Sequence, residues 1–282
     1  MPKTLSSRSQ PRARPWHPPR VARQARAVEP VKRKAKTAEL AITGLPMPIE
    51  VRRHPGARRL TLRVCQTRRT VIVTLPQRCH LDEAGLFVNR HLDWVLQRLG
   101  DLPEPIPFAD GILIPVRGVM HRVRFVGPQR TGSVVTLAPG KQPELLVKGR
   151  VEHAPRRLKD WLVDQAKLDL EARVAFHAGR LDLRARRISL RDQASRWGSC
   201  STTGLLSFSW RLILAPPIVL DYVAAHEVAH LAEMNHGPRF WALVAKTMPE
   251  MRSAKAWLHT HGLQLHRYGA EATVTFPAIA AC

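Results

Sequence analysis

Between residues 217 and 231 apolar side chains fall on every side of the helix that this stretch predicts. A helix of that kind has no solvent face and must lie inside a core. Its polar exceptions are Asp221, Tyr222, His226, Glu227 and His230. Each needs a partner there, because an unpaired buried polar group costs about 1–3 kcal/mol. His226-Glu227-Val228-Ala229-His230 sets two histidines at i and i+4, on one face, where both imidazoles can reach one ion. Zinc suits neutral imidazole, and two such ligands leave room for a third protein ligand and a water. Glu227, next to the first of them, is placed to act as general base towards that water.

The third ligand has several candidates. Glu233 lies on the same helix, about 10 Å beyond His226 along the axis, and hardly closes a tetrahedron with it. It reads as a supporting or surface group. His236 follows Asn235, where the helix should end, and a chain reversal there could return it to the metal. His259, His261 and His266 cluster near the C-terminus, but their spacing does not point to the helix. Geometry favours His236.

The surrounding pattern predicts an α+β protein. Residues 205–214 alternate, with Leu206, Phe208, Trp210, Leu212 and Leu214 on one face, as a half-buried strand does. Pro216-Pro217 stops that strand and opens the metal-bearing helix, expected to run to about Met234. Gly237-Pro238 opens another helix, ended by Pro249. Upstream, 60–65 and 71–75 read as a hairpin, 81–99 as one helix with Phe87, Val88, Trp94 and Val95 on a face, and 155–178 as a long helix. Short β-like pieces cover 112–116, 122–126, 134–137, 145–147 and 187–192, and no internal repeat is evident. The expected organisation is a basic tail over 1–46, a β-rich module with one helix over 47–150, a catalytic domain over 151–268 and a C-terminal tail over 269–282.

Charge separates the tail from the body. The chain carries 45 Lys+Arg against 22 Asp+Glu, a net +23. Residues 1–40 hold 11 of the basic residues, two acids and six prolines. Such a segment buries too little to offset its ordering entropy and is expected to be disordered. Arg12, Arg14, Arg20, Arg23, Arg26, Lys32, Arg33, Lys34 and Lys36 make it a candidate nonspecific nucleic-acid anchor, whose binding salt would weaken. No run of about 18 apolar residues occurs, which excludes a membrane-spanning helix. Met1-Pro2-Lys3-Thr4 has no apolar signal region, and the four cysteines are widely spaced, so a reducing, cytoplasmic setting is expected.

Several motifs then carry a resemblance. They are Arg196-Trp197-Gly198-Ser199-Cys200-Ser201, the run from Trp210 to Pro216, Asp221-Tyr222-Val223 leading into the His226 to His230 motif, and Asn235-His236-Gly237-Pro238-Arg239-Phe240-Trp241. Arg52-Arg53 and Leu92-Asp93-Trp94-Val95 add to them in the N-terminal half. Over about residues 49–266 the chain resembles the YgjP-like zinc metallopeptidase family, related to the SprT, WLM and Spartan zincins. The resemblance implies a compact zincin-like (minigluzincin-type) core, a small sheet packed on the metal-bearing helix. It also implies His226, His230 and His236 as zinc ligands and Glu227 as catalytic base. Val228 stands where the family usually has Leu, a swap between apolar residues of similar size, and the basic tail is not a general family feature.

Other residues have plainer readings beside functional ones. Cys200 reads as a small buried hydrophobe before a thiol ligand, and Trp197, Trp210 and Tyr222 as packing. Arg196 pairs either with a substrate carboxylate or within the domain, and Asp221 caps, pairs locally or supports the site. The expected function is a zinc metallopeptidase acting on peptide or protein substrates, with residues 205–214 receiving the substrate as an added strand. The alternatives are a zinc hydrolase of non-peptide amides and a nucleic-acid-associated module with structural zinc. A fourth protein ligand such as Cys200 would favour the last.

Overall fold

A computed structural model of the chain describes residues 37–45, 47–128, 132–193 and 196–270. The nine basic residues of the candidate nucleic-acid anchor lie outside the described residues, as do 271–282.

The first sheet comprises β1 (Thr37–Leu40), β2 (Ile49–Arg53), β3 (Thr61–Cys65) and β4 (Thr70–Leu75), in the order β1-β2-β4-β3. β1 pairs antiparallel with β2, so the tail expected over 1–46 gives way to sheet from Thr37. Ile42 is buried in the same core. Two helices, α1 (Leu81–Arg90) and α2 (Leu92–Gly100), cover the sheet where one helix was expected. His91 breaks the run: its φ of −117° leaves helical space, and its N–H turns back to Val88 O at 2.9 Å. Val88 and Val95 stay in the core, while Trp94 is exposed beneath Arg98.

The second sheet comprises β5 (Leu113–Val116), β6 (Val119–Phe125), β7 (Val135–Ala138) and β8 (Glu144–Val147), in the order β5-β6-β8-β7. α3 (Ala154–Leu181) follows. Leu158, Leu162, Ala166, Leu170 and Val174 fall every fourth residue along it and are buried. Its first half packs with the second sheet and its second half with the helix that carries the histidines.

The third sheet comprises β9 (Arg187–Arg191), β10 (Gly198–Cys200) and β11 (Leu205–Ser209), in the order β10-β11-β9. In all three sheets a parallel pair carries antiparallel neighbours, on both sides in the first two sheets and on one side in the third. The topology thus recurs although no sequence repeat is visible.

The strand expected over 205–214 ends at Ser209, and Trp210–Leu214 is a 3-10 turn. Ser209 Oγ accepts from Arg211 N–H at 3.4 Å and starts the turn. Arg211 is then drawn inside, 1% exposed, where its guanidinium holds Asp192 at 2.8 Å and the carbonyls of Leu265 and Tyr268 at 3.0 and 2.6 Å. α4 (Pro217–Ala229), α5 (Pro238–Thr247) and α6 (Met251–Leu265) complete the fold, and α6 is an element beyond those expected from the sequence. Gly269, expected in a C-terminal tail, donates its N–H to Ile106 O at 2.8 Å. No helix among the described residues is long and apolar enough to cross a membrane.

Candidate metal centre

Pro217 opens α4, and nine of its residues are buried. The helix ends at Ala229, five residues short of the expected Met234. The chain tightens there: Leu231 N–H reaches Val228 O at 3.0 Å and Ala232 N–H reaches Ala229 O at 3.1 Å. It then reverses, with Gly237 N–H on Asn235 O at 2.8 Å, and Pro238 opens α5.

The reversal returns His236 to the two histidines of α4. One nitrogen from each of His226, His230 and His236 lies within 4.8 Å of the others. The Nε2 atoms of His226 and His236 are 3.1 Å apart. Two nitrogens sharing a tetrahedral zinc at 2.0–2.1 Å stand about 3.3 Å apart, so the spacing fits that ion. His230 Nδ1–H donates to Glu233 O at 3.0 Å, which leaves the lone pair on Nε2, facing the cluster. Burial first, then the charges of His230, His236 and Lys255, push the His226 pKa down to about 3. Burial also lowers that of His230. Both rings therefore stay neutral and able to ligate at neutral pH.

Phe240 stands at the hub of the cluster, its ring centroid 4.8, 4.5 and 4.7 Å from those of His226, His230 and His236. Trp241 stacks on His236 from outside at 5.9 Å. Neither has a part that the sequence pattern predicts. The signal for Phe240 was its place four residues after His236 on a helix beginning at Pro238.

Glu227 is 5% exposed, and burial raises its pKa to about 7 against the opposing charge of Arg196. Its Oε2 has no hydrogen-bond partner among the described residues, and neither has His226 Nδ1. Buried polar atoms are rarely left so, and the free oxygen of Glu227 beside the three imidazoles marks a place built for a ligand. Gly198 makes room for the carboxylate: a Cβ there would stand 2.4 Å from Glu227 Oε1.

α3 braces α4 from behind. Arg173 donates to both oxygens of Asp221, at 2.5 and 2.8 Å, and His177 Nε2–H donates to Oδ1 at 2.6 Å. Burial resists ionisation of Asp221, but these hydrogen bonds outweigh it and hold its pKa below the usual carboxylate range.

The remaining candidates stand outside the cluster of three imidazoles. The Glu233 carboxylate points to Arg239 at 4.0 Å. Cys200 donates its thiol to Ser201 O at 3.4 Å, and burial, then the charge of Glu227, raises its pKa. His261 stacks on Trp257, and His266 on Trp197. Trp210 is buried in the core, and the buried Tyr222 sets its ring edge-on to that of His226, with centroids 5.9 Å apart. β11 cannot receive an added strand, because β10 and β9 occupy both its edges. The outer strands are β9 and β10, and β10, a three-residue strand that the sequence pattern does not predict, is the one that borders Glu227 through Gly198. Trp197 O and Ser201 N–H bond to β11, so the backbone groups of Gly198 and Cys200 point outward.

A YgjP-like metallopeptidase domain model matches residues 58–261. Comparison with curated proteins returns no match. Among solved structures the chain is similar to the metallopeptidase zymogen of Pyrococcus abyssi abylysin, at 21% identity and a TM-score of 0.31, over 35% of this chain and 97% of that one. The matched domain takes in the three histidines, Glu227 and the sheet around them, and the chain belongs to the YgjP-like metallopeptidase family, hydrolases whose cofactor is zinc.

Proposed function

We propose that His226, His230 and His236 hold the zinc in a zincin-like arrangement and that Glu227 is the general base of peptide-bond hydrolysis. The observation that carries this reading is the meeting of three imidazoles within 4.8 Å beside a buried carboxylate with an unpartnered oxygen. Zinc bound there supplies a Lewis acid that makes water acidic near neutral pH and polarises a carbonyl. Glu227 takes the proton of the water whose oxygen attacks the peptide carbonyl carbon. It then passes that proton to the leaving amine nitrogen as the C–N bond breaks, and is regenerated. Burial around Glu227 keeps other water away, which strengthens each of these contacts.

The substrate strand lies along β10, where Gly198 and Cys200 offer outward backbone donors and acceptors. Three histidines and no Cys200 sulfur in the cluster support an enzyme over a structural zinc site. The test is Glu227→Gln, nearly isosteric and unable to act as base. The variant keeps its zinc and its fold, and its cleavage of a peptide pool falls by at least about 10²-fold. Undiminished cleavage at equal zinc content would remove Glu227 from the mechanism.

A further inference from the structure

A cavity of about 550 Å³ opens between the first sheet and the third. Arg52, Arg63, Arg68, Arg191 and Arg196 line it, and Asp192 is the acid in its wall. That acid is already held by Arg211 at 2.8 Å. Nearby Glu50 engages both Arg52 and Arg68. Arg63, Arg191 and Arg196 have no ion-pair partner among the described residues. Cations gathered around one concave volume focus a positive potential into it. Guanidinium groups match carboxylates with two parallel hydrogen bonds.

The cavity borders the substrate edge. Ser199 of β10 and Ser207 of β11 stand opposite each other in register and both line it. Gly198 faces the other way, onto Glu227. Side chains of a strand alternate between faces. A peptide added to β10 therefore sends every second side chain over the Glu227 face and the intervening ones over the arginine face. Arg196 stands at the junction, lining the cavity while its charge reaches Glu227.

We infer that this arginine-lined cavity receives an acidic side chain of the substrate, making the peptidase selective for segments that carry Asp or Glu. The inference rests on the proposed use of the β10 edge by a peptide. A nucleic-acid backbone fits less well, because a phosphodiester chain needs a continuous open basic track, and here the arginines converge on one pocket.

The experiment measures binding, so that it does not depend on turnover. Zinc-loaded, full-length Glu227→Gln protein is titrated with short peptides in which each position in turn is Glu or Gln, in C-terminally amidated and free-acid sets. The expected result is a position where the amidated Glu peptide binds about 10- to 100-fold more tightly than its Gln partner, as charge-assisted hydrogen bonds provide. Adding Arg63→Gln and Arg191→Gln together cuts that preference below about twofold at unchanged zinc content. Arg156→Gln, an exposed change on α3, preserves it. Equal binding of Glu and Gln peptides at every position overturns the inference, as does a preference that survives the double change. A preference confined to free-acid peptides overturns it in favour of a terminal carboxylate. Displacement of the peptide by oligothymidylate, itself bound more tightly and weakened by the same double change, overturns it in favour of phosphate. Cleavage of these peptides by the Glu227→Gln protein would count against the proposed base and leave the binding comparison standing.

Discussion

Gly198 and His236 show how single positions define this centre. The Cβ of an alanine at 198 would stand 2.4–2.7 Å from the carboxyl group and Cγ of Glu227, so Glu227 must move. Overpacking of this kind costs about 1–3 kcal/mol, and a shift of about 1 Å in a catalytic group costs about 10²-fold in rate. Gly198→Ala is therefore expected to keep zinc and to lose about 10²-fold in peptide cleavage. A rate equal to wild type would separate Gly198 from the base. His236 is exposed, and the residues ahead of it form a short reversal, so His236→Ala leaves the fold intact. We expect zinc per chain, measured after dialysis, to fall towards zero in His236→Ala and to stay near one in Glu233→Ala, since zinc is bound only while its ligand set is complete. Full zinc retention by His236→Ala would return the third ligand to another residue. The histidine pair was legible in sequence from its i, i+4 spacing, and the imidazole character of the site with it. The demand for glycine at 198 was not, because it arises from a side chain almost thirty positions later in the chain.

Helix α4 carries two of the proposed ligands and the proposed base, and its position depends on α3. Asp221 is the joint: it sits five residues before His226 and accepts from Arg173 and His177 of α3. Asp221→Ala leaves a fully buried His177 and a partly exposed Arg173 without their carboxylate. A buried ion pair broken on one side costs about 3–5 kcal/mol, and the exposure of Arg173 brings the expected loss to about 2–4 kcal/mol. Urea unfolding at neutral pH measures it, and a loss under about 0.5 kcal/mol, the size of a surface change, would show that α4 is held by apolar packing alone. The elements here are more legible in the sequence than their ends. α4 stops early because a 3-10 turn and the Gly237-Pro238 entry to α5 claim the residues after Ala229. β11 stops early because Arg211 turns inward to Asp192. Both endings answer to groups far away or to the next element, which local periodicity does not register.

Across the whole molecule, His266 ties the N-terminal hairpin to the last helix. Its ring lies 5.0 Å from that of Trp197, and its Nδ1 shares a hydrogen bond of 3.1 Å with Thr67 in the β3–β4 turn. Burial, aided by Arg211 and opposed by Asp192, lowers its pKa to about 4. Between that value and about 6.5 the unfolded chain binds a proton that the folded chain does not. Stability on this account is complete above about pH 6.5 and drains as pH falls towards 4, by up to about 3 kcal/mol. Urea midpoints of wild type and His266→Gln, compared at pH 7.5, 6 and 5, should converge as pH falls. A constant difference across that range would clear His266 of the acid response. By itself the sequence determined the α+β character, the long helix before the metal centre, the buried helix with His226, Glu227 and His230, and His236 as the favoured third ligand. Those are properties of local period, of turn residues and of ligand chemistry, all written in neighbouring positions. Only the tertiary structure decided that β10 rather than β11 offers an open edge, that Gly198 and Phe240 shape the centre, and that arginines from the first and third sheets share one cavity. Strand order and convergence over more than a hundred residues come from how the sheets pack, and no local pattern encodes them.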